Sequence, residues 1–138
     1  MEDLRNALER CKKQLAVLEN RNISLKTQLA NILQYNFDRS LLEKLEYFHT
    51  AFLQMDTRFE ALRNEVALQQ AWLTPHGSDF SNEEHIRRHQ QHMLEKLEKM
   101  EMDTKRLGSG FDEYVTEHFP AASMAVMHTQ EVRRRDLR

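Results

Sequence analysis

The sequence has little of anything that breaks or cross-links a helix: among its 138 residues there are 3 glycines, 2 prolines and 1 cysteine. The single thiol, Cys11, excludes an internal disulfide framework and a cysteine-rich zinc module, which points to a reducing compartment. Three glycines cannot build the loops that cradle phosphates or carry a nucleophile elbow, and none of the patterns Gly-x-x-x-x-Gly-Lys, Gly-x-Gly-x-x-Gly or Gly-x-Ser-x-Gly occurs. Long apolar runs are missing as well. The longest, near Ala121 to Met127, is far short of the roughly 20 residues of a membrane span, and Met-Glu-Asp-Leu-Arg at the start carries no apolar signal stretch. Neither sign of charge dominates: the net charge is −2 and both signs are interspersed, so nothing global draws the chain to nucleic acid or anionic lipid. These absences imply an intracellular protein, cytoplasmic or nuclear, with no membrane partner, no cofactor and no enzymatic site.

What remains is helix-forming. Leu, Glu, Lys, Arg, Gln, Ala and Met lose little side-chain freedom in a helix, and a mean hydropathy of −0.75 fits narrow apolar stripes on solvated helices. Residues Leu4, Leu8, Cys11, Leu15, Leu18, Asn22, Leu25, Leu29 and Ile32 are spaced alternately by four and three, a heptad repeat that predicts a leucine-zipper-like coiled-coil helix over residues 1–37. In this reading Leu8 to Ile32 form an interface with another helix, and Cys11 is an inert packing thiol within it. A lone Asn22 at a core position favours a two-stranded, in-register pairing. Arg5, Lys12, Arg21 and Lys26 on the flanks favour a partner with acidic flanks over a like-charged copy. A homodimer or a heteromeric coiled-coil complex with a protein partner is therefore the expected assembly.

The register breaks after Leu33. Ser40 and Glu43 suit a capping box that starts a new helix at Leu41, with the stripe Leu41, Leu45, Phe48, Phe52, Met55, Phe59, Leu62, Val66 and Leu73. Thr74, Pro75, His76 and Gly77 form a turn, Ser81 and Glu84 a second capping box, and Ile86, Met93, Leu94, Leu97, Met100 and Leu107 the stripe of a third helix folding back antiparallel over residues 40–107. Phe48, Phe52, Met55, Phe59, Leu62, Trp72, Met93, Leu97 and Met100 are the candidate hairpin and partner interface, the large aromatics supplying most contact area. Gly108-Ser109-Gly110 reads as a flexible joint, and residues 108–138 as short C-terminal docking helices with a basic tail. The fold expected is all-α: an extended coiled coil, an antiparallel hairpin and short C-terminal helices.

Chemistry-bearing clusters are sparse. His85, His89 and His92 share one side of a helix at metal-ligand spacing, but no second helix is obliged to complete a site, and a mildly pH-sensitive surface is the favoured role. Glu46 and His49 make one Glu-x-x-His unit where a diiron bundle needs two. Arg133, Arg134, Arg135 and Arg138 could contact an acidic partner, yet without aromatic interleaving they are a weak nucleic-acid signal. The function these features favour is a non-enzymatic structural adaptor joining proteins in a larger complex. The alternative is an assembly-scaffolding or nucleic-acid accessory factor that dimerises by its zipper and binds an acidic surface through these arginines.

Overall fold

The computed structural model describes residues 2–35, 38–73 and 83–119. They form three long helices, α1 (Glu2–Tyr35), α2 (Arg39–Trp72) and α3 (Glu83–His118), packed on one another as an all-α bundle. The contacts fix the directions. Arg5 at the start of α1 meets Leu73 at the end of α2, and Gln69 of α2 meets Gln90 of α3. Arg87 near the start of α3 reaches Asp3 near the start of α1. Thus α2 runs antiparallel to both neighbours, and α1 and α3 are parallel.

Each helix buries one heptad seam. In α1 it is the whole zipper series from Leu4 to Ile32, Asn22 included. In α2 the seam comprises Leu45, Phe48, Phe52, Met55, Phe59, Leu62, Val66 and Gln69. In α3, core positions alternate by four and three from Ile86 to Thr104, and a second step of four then brings Gly108 inward before Phe111 and Val115. Such a stutter locally unwinds the supercoil. The seam of α1 is covered by α2 and α3 of its own chain, and the extended two-stranded coiled coil expected of residues 1–37 is not formed. The basic flanks have found acidic groups in the same molecule: Lys26 Nζ lies 2.5 Å from Asp56 Oδ2, and Arg21 Nη2 lies 3.2 Å from Asp112 Oδ2.

Two boundaries differ from expectation. Helix α2 begins at Arg39, not Leu41, because Asp38 is the N-cap: its carboxylate accepts from the Ser40 amide at 3.0 Å and from the Ser40 hydroxyl at 2.8 Å. An ionised side chain meets the positive end of the helix dipole better than a serine does, so Ser40 falls inside the first turn. The larger correction is at Gly108-Ser109-Gly110, which lies within α3 and not at a joint; residues 111–118 continue that helix instead of forming a short separate one. A glycine costs a helix only about 1 kcal/mol relative to alanine. Burial of Phe111 and Val115 beyond it, worth about 1.5–3 kcal/mol each, more than offsets this. The expected turn at 74–80 and Ser81 lie outside the described residues, as do Pro120 and the tail.

Candidate interaction surface

The core comes in two apolar sections separated by a polar layer. One holds Leu4 to Leu18 of α1 with Met55 to Leu73 of α2 and Ile86 to Met100 of α3. The other holds Leu25, Leu29 and Ile32 with Leu45, Phe48, Phe52, Phe111 and Val115, where Phe111 meets Phe48 and Phe52 edge-on at 5.2 Å. Between them the Asn22 side-chain amide donates to the Phe52 carbonyl at 3.0 Å and to Asp56 Oδ1 at 2.7 Å. Asn22 Oδ1 and Thr104 Oγ1 are buried there without a hydrogen-bond partner. At Gly108 the missing side chain lets Arg21 cross α3 towards Asp112; a Cβ there would stand 3.4 Å from the guanidinium.

This packing uses the residues the sequence nominated for a partner. Leu8, Cys11, Leu15, Leu18, Asn22, Leu25, Leu29 and Ile32 are buried inside one chain. So are Phe48, Phe52, Met55, Phe59, Leu62, Met93, Leu97 and Met100, and in the closed bundle none offers its area to another molecule. Burial also pushes the Cys11 thiol up from its usual range. Trp72 is half-buried at the end of α2, with His85 tilted against it at 5.2 Å and His89 edge-on at 4.9 Å. His89 Nδ1 lies 3.0 Å from Gln69 Oε1, and the Gln69 amide donates to Gln90 Oε1 at 3.1 Å. Desolvation holds His89 below its ordinary value; Glu65 opposes that, while His85, Lys96 and His92 add to it. His92 points to solvent near Glu95, and no group of three or more metal-ligating side chains is assembled among the described residues. Arg133, Arg134, Arg135 and Arg138 lie outside them.

The outer surface is asymmetric. Facing outward, α3 carries Arg88, His92, Glu95, Glu98, Lys99, Lys105, Arg106 and Glu113, with Met102 its one large exposed hydrophobic residue. On α1 the outward stripe from Ala16 to Gln34 runs Ala16, Val17, Asn20, Ile23, Ser24, Thr27, Ala30, Asn31 and Gln34 and holds no charge. The outward side of α2 from Tyr47 to Ala71 exposes two charged residues, Glu60 and Arg63, alongside Leu53, Ala61, Ala67 and Leu68. Val17 is 66% exposed, Ile23 53% and Leu53 46%.

Protein-family models, curated proteins and solved structures were compared with the chain, and none matches. The surface must therefore be read from its own chemistry.

Ile23 and Leu53 directly follow Asn22 and Phe52, whose hydrogen bond joins α1 to α2, so the two apolar side chains stand close to one level of the bundle. Further along the same face an open groove of about 380 Å³ is floored by Leu15 and Val66 and walled by Ala16 and Ala67, with Lys12, Glu19, Arg63 and Gln70 at its edges. Glu19 Oε1 lies 3.0 Å from Arg63 Nε across it. Sequence reasoning missed this face because it sought large apolar side chains; the signal was the run of uncharged residues along the outermost stripe from Ala16 to Gln34, with exposed Arg21 at its edge. Among the described residues no helix is long and apolar enough to cross a membrane.

Proposed function

We propose that this protein is a non-enzymatic helical adaptor that holds protein partners together in a larger assembly. The observation that carries the reading is the asymmetry of the surface. A solvated helix face is ordinarily charged, as α3 is, whereas the outermost stripes of α1 and α2 keep Val17, Ile23, Leu53 and Leu68 in water, with the charged side chains Glu19, Lys26, Asp56 and Arg63 paired along the groove between the two helices. Sustained apolar exposure of this kind marks a surface that is covered in use. Adaptor function needs no groups of shifted acidity around a substrate cavity, and the buried seams serve it by stiffening the bundle. The intermolecular zipper remains possible only as an opened form, in which α1 leaves α2 and α3 and the nine seam residues of α1 are reburied on another helix.

Site-specific photo-cross-linking of the full chain in cell extract tests this. A photoreactive side chain at Val17 or Leu53 should join the protein to other polypeptides, while the same group at Glu98 on α3 should not. Equal labelling from both faces, or none from either, overturns the reading.

A further inference from the structure

The geometry points to a two-histidine metal site on the first turns of α3, in which His85 and His89 chelate one divalent transition-metal ion beside Trp72. The site lies where the end of α2 meets the start of α3, apart from the α1–α2 face, and does not depend on the adaptor reading. His85 and His89 are four residues apart in one helix, a spacing that sets their Cβ atoms about 5–6 Å apart on the same side. A nitrogen of each imidazole can then stand about 2.0–2.1 Å from a shared ion without a change of backbone. A pair in open solvent would lose rotamer freedom on binding. Here both rings already lie against the same indole, with centroids 5.2 Å and 4.9 Å from that of Trp72. Much of the ordering that chelation requires is therefore built into the fold.

His89 also holds the tautomer a metal ligand needs. The Gln69 amide nitrogen donates to Gln90 Oε1, so Gln69 Oε1 is the acceptor and His89 Nδ1, 3.0 Å from it, carries the N–H. Its Nε2 keeps a free lone pair. A hydrogen bond from the far ring nitrogen to a fixed oxygen is the contact that orients ligating histidines, and both glutamines that supply it are buried. Desolvation holds His89 below its ordinary value, so near neutral pH no proton has to leave the ring before an ion binds. Neighbouring cations are matched within the chain, Lys96 by Glu65 and Arg88 by Glu84. Imidazole donors suit nickel, copper and zinc, whereas calcium and magnesium take oxygen ligands. With two protein ligands the remaining coordination positions belong to water, and the ion exchanges with solution. His92 stands outside the set: its Nδ1 lies 3.9 Å from Glu95 Oε2 on the solvated side of the helix.

Trp72 is the one tryptophan of the chain, so its fluorescence reports on this site. Ni²⁺, an open-shell ion, quenches an indole that it closely approaches. Titration of the untagged full chain with Ni²⁺ at pH 7.5 should quench Trp72 saturably in the micromolar range. His85→Gln and His89→Gln should each weaken binding by about tenfold or more, since losing a ligand costs at least as much as losing the contact that orients one. His92→Gln should leave it unchanged. The same Ni²⁺ concentration should raise Tm in the parent and in neither ligand variant, and melts without metal verify that the variants stay folded. Quenching that does not saturate below millimolar Ni²⁺, that persists in both ligand variants, or that His92→Gln weakens as much as they do overturns the proposal.

Discussion

Replacing Gly108 and Gly110 by alanine tests the continuity of α3 at the point where the sequence suggests a joint. Both glycines lie inside the helix, and no glycine among the described residues has a positive φ. Alanine therefore gains its full propensity advantage over glycine, about 0.8–1 kcal/mol per site. Sterics subtract little. A Cβ at Gly110 meets only Phe48 Cε1 at 3.9 Å, and one at Gly108 meets Arg21 Nη2 at 3.4 Å and Leu25 Cδ1 at 3.5 Å. The guanidinium is the end of a long exposed side chain and can shift, with some weakening of its half-exposed bond to Asp112, worth well under 1 kcal/mol. Gly110→Ala should thus stabilise by close to 1 kcal/mol, Gly108→Ala by somewhat less, and the pair by about 1–2 kcal/mol. For a chain of this size that raises Tm by several degrees. Urea denaturation and thermal melts of the full chain, both followed by circular dichroism, measure it. A fall in stability for Gly110→Ala would refute the continuous helix, because only a left-handed or otherwise non-helical backbone makes alanine worse than glycine there.

Two further outcomes follow from the polar groups inside the bundle. Asn22→Ala should cost about 1–3 kcal/mol through lost hydrogen bonds and a cavity, whereas Asn22→Leu, which also removes the unpartnered Oδ1, should be neutral or stabilising in the same urea titrations; equal losses in both would refute the account of the layer. Because burial lowers the proton affinity of His89, the folded state holds fewer protons than the unfolded one. Its contribution is complete above about pH 6.5 and is lost as pH falls from there through the folded value. The urea midpoint should drop between pH 7.5 and 5.5, and drop less in His89→Gln; identical pH dependence in the two proteins would show that His89 is not the group responsible.

Much of this architecture was legible in the sequence because heptad spacing is a direct record of which side chains face inward. Every seam residue of α1 from Leu4 to Ile32, and every α2 stripe residue from Leu45 to Leu73, is buried. Legibility failed where a core position is polar or has no side chain. Gln69, Gln90, Thr104 and Gly108 occupy the seams but carry no apolar signature, so the third stripe looks interrupted and Gly108 looks like a hinge. It failed again at the level of assembly, since a heptad seam states that a helix has neighbours without stating whose they are. Arg21 and Lys26 suggested a partner helix with acidic flanks, and within the chain they pair with Asp112 and Asp56. The uncharged outer stripe of α1 was hidden for the opposite reason: Ala, Ser, Thr and Asn are individually unremarked, and only their succession along the outermost positions from Ala16 to Gln34 sets them apart.

The polar layer at Asn22 and Thr104 bears on how the molecule breathes. Since the apolar sections on either side are separate clusters, with Leu107 packed against both, the two ends of the bundle are coupled through helix backbone and this one half-buried side chain more than through a continuous interior. Units joined in that way open with different free energies. The end near Phe48 and Phe111 can loosen without exposing the end near Met93, so amide exchange along each helix should fall into two blocks that meet at the layer, and not into one protected centre with frayed tips.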